Sequence, residues 1–236
     1  MIGNGTQRRP TFTTIARIAA VRAFAARAFA VWAVAAAMAP PEAAAHPHVW
    51  VTARTQLVFA QDKLTAVRHS WTFDPAYSQY ATQGLDADGD GKPDAAEMAD
   101  LARSNIEGLY EFDFFTKVKA NGKSIAFTRA SDPSLELVDG SLVLHFTLPV
   151  EPAVAAGRAL ALEIYDPTYF VSFVFAPGAD AATTAGTAGD CAITITRPKQ
   201  QDFNAQDDLS EAFFNALTAA SSFGQDFATR AVVACP

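Results

Sequence analysis

Common enzyme motifs, clustered basic residues and cysteines are all scarce in this 236-residue sequence. It contains no Gly-x-Ser-x-Gly nucleophile elbow, no phosphate-binding glycine loop and no His-Glu-x-x-His zinc motif, which excludes the enzyme classes built on those motifs. Its 18 basic residues are outnumbered by 25 acidic ones, and they form no cluster suited to the phosphates of a nucleic acid. We therefore expect neither an enzyme nor a nucleic-acid partner.

A long hydrophobic segment is also missing. The uncharged apolar run Ala28–Ala39 is shorter than a bilayer-spanning helix, which needs about 20 residues. It follows five arginines and precedes Ala43-Ala44-Ala45, as in a cleaved secretion signal. We expect residues 1–45 to be a signal peptide and residues 46–236 to form a single β-rich domain that does not span the membrane. The sequence thus predicts a periplasmic protein, and cleavage makes its net charge more negative than the −7 of the full chain.

The sequence has two cysteines, Cys191 and Cys235. Cysteines of exported proteins pair in the oxidising compartments that these proteins enter, so we expect a disulfide between them. Two buried free thiols are the alternative.

Residues 86–97 carry the strongest chemical signal, because they match the calcium loop of an EF-hand. Such a loop places oxygen ligands at positions one, three, five, seven, nine and twelve, with glycine at position six for a sharp turn. Gly91 occupies position six, and Lys92 at position seven contributes only its carbonyl oxygen. The ordinary alternative is a solvated acidic turn. The predicted calcium ligands are Asp86, Asp88, Asp90, Lys92, Asp94 and Glu97.

The flanks of this loop predict helices. Asp74-Pro75 is a helix start, and apolar residues recur at helical spacing from Asp94 to Phe112, so residues 74–112 form an EF-hand-like helix-loop-helix insertion. Pro93 at loop position eight has no N–H to pair with a second loop, and no second loop of this pattern exists in the sequence. We therefore expect a solitary calcium site of modest affinity, in the ~10⁻⁴–10⁻³ M range.

The rest of the chain is patterned as strands. Apolar residues alternate with polar ones from His48 to Phe59, and Asn121-Gly122 and Asp139-Gly140 are strong hairpin signals. The small-residue segment 177–190 predicts a loop, and residues 208–221 predict a helix near the carboxyl terminus. The expected fold is mainly β with α insertions: an antiparallel β-sandwich-like body, the helix-loop-helix insertion and a C-terminal helix.

Cleavage after Ala45 would leave His46 as the first residue, with His48 on the same side of the extended chain. Amine and imidazole nitrogens suit nickel, cobalt, zinc or copper. His145 alternates away from its apolar neighbours and is a candidate third ligand, whereas His69 shares the apolar face of its strand and is predicted to be a core histidine. A polar terminus that binds no metal is the alternative.

Seven stretches of the mature chain form a recognisable combination: HPHVWV at 46–51, WTFD at 71–74, GLDADGDGKPDAAE at 84–97, EFDFF at 111–115, LHF at 144–146, YDPTYF at 165–170 and LSEAFF at 209–214. Together they resemble the bacterial exported proteins of domain-of-unknown-function family 1007 (DUF1007). The resemblance covers essentially the whole mature chain. It implies a periplasmic component of an uncharacterised transport system, and some members of the family sit beside nickel/cobalt-type exporters.

Three functional hypotheses follow. The first is a non-enzymatic accessory protein that is stiffened by calcium and transfers a transition metal through His46 and His48 to a membrane metal transporter. The second is a copper enzyme in which those histidines form a histidine brace with His145. The third is a structural or protein-binding module in which calcium only orders the helical insertion.

Overall fold

The computed structural model describes residues 47–155, 157, 159–187, 191–197 and 223–235. The predicted signal peptide, His46 and the predicted helix at 208–221 lie outside this part of the chain. The strands within it, in chain order, are β1 (Val49–Ala60), β2 (Lys63–Phe73), β3 (Thr116–Ala120), β4 (Lys123–Ile125), β5 (Ser131–Val138), β6 (Ser141–Ala155), β7 (Leu160–Ile164), β8 (Val171–Phe175), β9 (Ala182–Gly186), β10 (Ala192–Thr196) and β11 (Thr229–Ala234).

These strands form two sheets. The first has the order β5-β6-β2-β1-β8, with β9 also paired to β1, and the second has the order β10-β11-β7-β3-β4. Two pairs are parallel: β8 pairs with the first half of β1, and β9 pairs with its second half. The other pairs among the described strands, including β1 with β2, are antiparallel. The predicted mainly β fold is confirmed.

Two α-helices lie between β2 and β3. They are α1 (Pro75–Ala81) and α2 (Ala99–Tyr110), and short 3-10 turns lie at Asp113–Phe115, Ala179–Ala181 and Phe223–Phe227. None of the helices in the described part of the chain is long and apolar enough to cross a membrane.

One hydrophobic core contains residues of both sheets. Alternation along β1 buries Val51 and Leu57 and leaves Trp50 exposed, as the period of two in a strand requires. Trp71 lies within 4.8 Å, ring centre to ring centre, of both Phe146 and Phe173. Such edge-on aromatic pairs add about 0.5–1.5 kcal/mol each beyond the area they bury.

Polar contacts also join the two sheets. The Thr116 hydroxyl of β3 lies 3.2 Å from Nε2 of His69 on β2, and the Thr229 hydroxyl of β11 accepts a hydrogen bond from the backbone N–H of Phe175 at 3.2 Å. His69 is buried, so the prediction of a core histidine is confirmed.

Hairpin turns form where the glycine pairs predicted them. Asn121 and Gly122 have φ of 50° and 79°, and Asp139 and Gly140 have φ of 50° and 80°. Two consecutive residues with positive φ are typical of the type I′ turn, whose twist matches that of the flanking strands.

The prediction of a loop at residues 177–190 is wrong for part of this segment. The segment contains strand β9, which pairs in register with residues 55–59 of β1. The small residues of its sequence, Ala-Thr-Thr-Ala-Gly, suit a loop as well as a strand, and pairing with β1 decided between the two. Helix bounds also differ, since α2 begins at Ala99 rather than at Asp94.

A left-handed turn links α2 to β3. Asp113, Phe114 and Phe115 have φ of 52°, 52° and 48°, a region that costs an L-residue roughly 1–2 kcal/mol. The turn buries Phe114 and Phe115 in the core, and this burial offsets the strain.

Candidate metal site

The predicted calcium loop, residues 86–97, lies in the connection between α1 and α2. Before it, the Asp74 side chain caps α1 by accepting from the backbone N–H of Tyr77 at 2.9 Å. Leu85 packs against the core just ahead of the loop, and Met98 just after it is 1 % exposed. Apolar packing therefore holds both ends of a loop that is itself mostly exposed.

Backbone N–H groups fold the first half of the loop around its carboxylates. Asp86 Oδ2 accepts from the N–H of Gly91 at 2.9 Å, Asp88 Oδ1 from that of Asp90 at 3.0 Å, and Asp90 Oδ1 from that of Lys92 at 2.8 Å. Gly91 has a φ of +90°, which is why glycine is needed at this position. The chain thereby turns back on itself.

The second half of the loop is closed by Glu97. Its Oε1 accepts from the N–H groups of Ala87 at 2.7 Å and Asp88 at 3.2 Å, and its Oε2 accepts from that of Asp94 at 2.9 Å. Asp94 Oδ1 in turn accepts from the N–H groups of Ala96 and Glu97 at 2.8 and 2.9 Å. Asp94 thus caps the turn that leads into α2.

Three of the predicted ligands converge. One carboxylate oxygen from each of Asp86, Asp88 and Glu97 lies within 4.8 Å of the other two. Asp90 and Asp94 lie in the same loop but outside this group, and their Oδ1 atoms accept backbone hydrogen bonds. Lys92, predicted to offer its carbonyl oxygen, sits at the turn between the two halves.

The surroundings of Asp86 Oδ1 show whether a cation fits in this loop. This oxygen is shielded from solvent and has no hydrogen-bond partner among the described residues, a state that costs free energy for any buried polar atom. A cation bound among the three carboxylates would satisfy it. The donors are all hard oxygens, the set that Ca²⁺ prefers over transition metals, so the residues present fit calcium.

The histidines are separated from one another. His48 is exposed, its ring lies 4.7 Å from that of Phe170, and its backbone N–H donates to the Phe170 carbonyl at 2.9 Å. His46 lies outside the described residues. His145 lies in register with Ser70, which lies in register with Arg54, six residues along β1 from His48. At about 3.3 Å per residue, His145 is roughly 20 Å from His48, and the structure does not bring the two together.

His145 instead joins a chain of side chains. Its Nδ1 lies 2.8 Å from the Ser70 hydroxyl and its Nε2 lies 2.9 Å from Glu136 Oε1. Sequence reasoning missed Ser70 and Glu136, because the three residues lie on three strands and no short motif joins them. The signal that the sequence offered for this group was a polar residue at an outward-facing position of each of the three strands.

The predicted disulfide is present. Cys191 and Cys235 are bonded to each other across a sequence separation of 44 residues, just outside the paired strands β10 and β11. Such bonds persist in exported proteins and are rare in reducing compartments.

Residues 31–235 match the model of a family described as "Protein of unknown function (DUF1007)". The chain belongs to this family. An uncharacterised protein of Haemophilus influenzae is 21 % identical over 197 residues, which is 81 % of this chain and 91 % of that protein. A second relative, described as an uncharacterised 15.5 kDa protein in the trpE 3' region of Spirochaeta aurantia, is 26 % identical over 110 residues, or 47 % of this chain and 79 % of that protein. The resemblance to DUF1007 is thus confirmed.

Proposed function

We propose that this DUF1007 protein binds one calcium ion in the loop at residues 86–97, and that the ion stabilises the two helices of an exported protein. The observation that carries the proposal is the convergence of carboxylate oxygens of Asp86, Asp88 and Glu97, together with an Asp86 Oδ1 that is shielded from solvent and has no hydrogen-bond partner in the part of the chain that the structure describes. The carboxylates repel one another in the absence of a cation, so the ion removes both the repulsion and the unsatisfied oxygen.

The ion affects more than the loop. Glu97 is followed directly by the buried Met98, whose carbonyl accepts from the N–H of Ala102, the buried residue of α2. Fixing Glu97 against Asp86 therefore fixes the start of α2 and its packing on the core. This is the role of a structural ion, and a site of modest affinity suffices for it.

The cellular role that we propose is an accessory component of a transition-metal transport system in the periplasm. The disulfide is consistent with export. His48 stands exposed at the beginning of β1, next to the predicted mature terminus, where it and His46 would hold nickel, cobalt, zinc or copper for a membrane transporter.

Thermal unfolding with and without calcium tests the loop. At a hundredfold excess of calcium over its dissociation constant, a site present only in the folded state adds about 2.7 kcal/mol to the free energy of unfolding. For a domain of this size, that raises the Tm by about 5–11 °C. Asp86→Ala removes the unpartnered oxygen and should abolish the rise.

Glu107→Ala is the matched control, since Glu107 is an exposed acidic residue of α2 outside the loop. It removes the same charge and should leave the calcium response intact. An equal loss of response in both variants would mean that calcium acts only as a general counter-ion of an acidic surface. If millimolar calcium does not raise the Tm of the parent protein, the proposal is refuted.

Titration of the processed protein with each transition metal tests the transport role separately. We expect binding that is lost in the double variant His46→Ala, His48→Ala and unaffected by Asp86→Ala. Unchanged metal affinity in the histidine variant would refute the proposed metal transfer, and the calcium-stabilised module would be the remaining hypothesis.

A further inference from the structure

A row of polar side chains crosses the outward face of the first sheet. Ser70 of β2 lies in register with Arg54 of β1 on one side and with His145 of β6 on the other, so its Cβ atom lies about 4.5–5.5 Å from that of each neighbour. Glu136 extends the row from β5. Ser70 and His145 are half-buried, whereas their strand neighbours His69 and Leu144 are buried in the core on the opposite face.

The carboxylate of Glu136 determines where the protons lie. An ionised carboxylate only accepts hydrogen bonds, so Nε2 of His145, 2.9 Å from Glu136 Oε1, carries a proton. In the neutral ring Nδ1 is then the acceptor, and the Ser70 hydroxyl at 2.8 Å donates to it. The Ser70 hydroxyl thus donates a hydrogen bond to a base, His145, and the carboxylate of Glu136 orients that base. Activation of a serine nucleophile requires this arrangement.

A surface cavity of about 380 Å³ adjoins this group. Ser70 and His145 line it together with two arginines, Arg54 and Arg68, and two aspartates, Asp132 and Asp180. Arg54 Nε donates to Asp180 at 3.0 Å and Arg68 Nη1 donates to Gln56 at 3.3 Å, and these bonds hold both arginines beside the cavity. Positive charge next to a nucleophile stabilises the oxyanion that forms when a carbonyl is attacked.

We propose that Ser70, His145 and Glu136 form a hydrolytic site for small carboxylic esters, preferably those with an anionic acyl group. Ser70 Oγ attacks the ester carbonyl carbon and its proton passes to His145 Nδ1. The C–O bond to the alcohol breaks, the alkoxide takes that proton and leaves as the alcohol, and the acyl group stays on Oγ. Water then attacks the acyl carbon and gives a proton to Nδ1. The bond between the acyl carbon and Oγ breaks, Nδ1 returns the proton to Oγ, and the free acid leaves.

The site is independent of the calcium loop and goes beyond the proposed function. Glu136 touches no reacting atom and acts as a positioning residue, because it sets the tautomer of His145. Arg54 is already paired with the Asp180 carboxylate, whereas Arg68 donates to the neutral amide of Gln56. Arg68 therefore gives the preference for an anionic acyl group, since a guanidinium pairs with a carboxylate in a forked geometry.

Labelling of the full-length processed protein with a fluorophosphonate tests the nucleophile. Serine attack on phosphorus expels fluoride, so peptide mass spectrometry locates the label. We expect one label per chain on Ser70, none on that peptide in Ser70→Ala, and a rate lowered about 100-fold or more in His145→Gln, the range that a general base contributes. Circular dichroism confirms that each variant is folded.

Three further variants separate chemistry from structure. Ser134 of β5 is also a register partner of His145 and is exposed, so Ser134→Ala is the matched control and should label at the parent rate. Glu136→Gln should lower the labelling rate, because the amide no longer fixes the tautomer of His145, and Glu136→Asp, which keeps the carboxylate, should restore part of that rate. Equal rates in the parent and Glu136→Gln would rule out a positioning role for Glu136.

Equal labelling of several serines, or labelling of Ser70→Ala at the parent rate, would overturn the proposal. Hydrolysis of para-nitrophenyl hemisuccinate against para-nitrophenyl acetate tests the substrate class. We expect faster turnover of the anionic ester, with the difference lost in Arg68→Gln. Equal rates in the parent protein would refute the anionic preference.

Discussion

His69 makes the stability of this protein depend on pH. The imidazole is buried between the sheets, with Nδ1 3.0 Å from the Thr55 hydroxyl and Nε2 3.2 Å from the Thr116 hydroxyl. The Thr116 hydroxyl donates its one proton to the Phe114 carbonyl at 2.8 Å, so it can only accept from His69. Nε2 therefore carries the ring proton, Nδ1 accepts from Thr55, and the folded state holds the neutral ring.

Burial lowers the pKa of His69 from 6.5 to about 3. As the pH falls through 6.5, the unfolded chain takes up a proton that the folded chain excludes, so the contribution is intact above 6.5 and is lost between 6.5 and 3. One such proton changes the free energy of unfolding by about 1.4 kcal/mol per pH unit. Between pH 7 and pH 5 the expected loss is about 2 kcal/mol, or a Tm lower by about 4–8 °C.

Urea unfolding followed by tryptophan fluorescence measures this loss, since the Trp71 ring lies 5.3 Å from the His69 ring. A chelator in all samples keeps the proposed calcium site from adding its own pH dependence. His69→Gln is the control, because its amide offers a donor and an acceptor to the two threonines and does not titrate. The variant should lose about 2 kcal/mol less than the parent between pH 7 and pH 5. Parallel losses in the two proteins would refute the reasoning.

Two other predictions concern cross-links and caps. Reduction of the Cys191–Cys235 disulfide opens a loop of 44 residues and should lower the free energy of unfolding by up to about 4 kcal/mol in the chain-entropy model; an unchanged urea midpoint in dithiothreitol would contradict this. Asp74→Ala removes the acceptor of the Tyr77 and Trp50 N–H groups and should cost about 1–2 kcal/mol. Asp74→Asn, which keeps one acceptor oxygen, should cost less, and equal losses would rule out capping as the cause.

Local sequence rules explain much of the fold. The turns at Asn121-Gly122 and Asp139-Gly140 form where predicted, because positive φ at two successive positions suits those residues. The prediction of a loop at 177–190 fails for the opposite reason. Nothing in the local sequence marks β9 as a strand, and it forms because it pairs in parallel with β1. The left-handed turn at Asp113–Phe115 is equally unpredictable, since core burial of two phenylalanines outweighs a local preference.

The candidate sites divide in the same way. Spacing alone identified the loop at 86–97, because the ligands of an EF-hand-like loop are neighbours in the chain and their geometry is a local property. Tertiary structure decided which of those carboxylates converge, and it placed His145 beside Ser70 and Glu136 rather than near His48. Contacts between strands depend on sheet order and register, which the sequence of any one strand does not contain. For this reason the sequence determined the acidic loop proposed to bind calcium, the strand pattern and the disulfide partners, and the fold alone determined the hydroxyl, imidazole and carboxylate group on the first sheet.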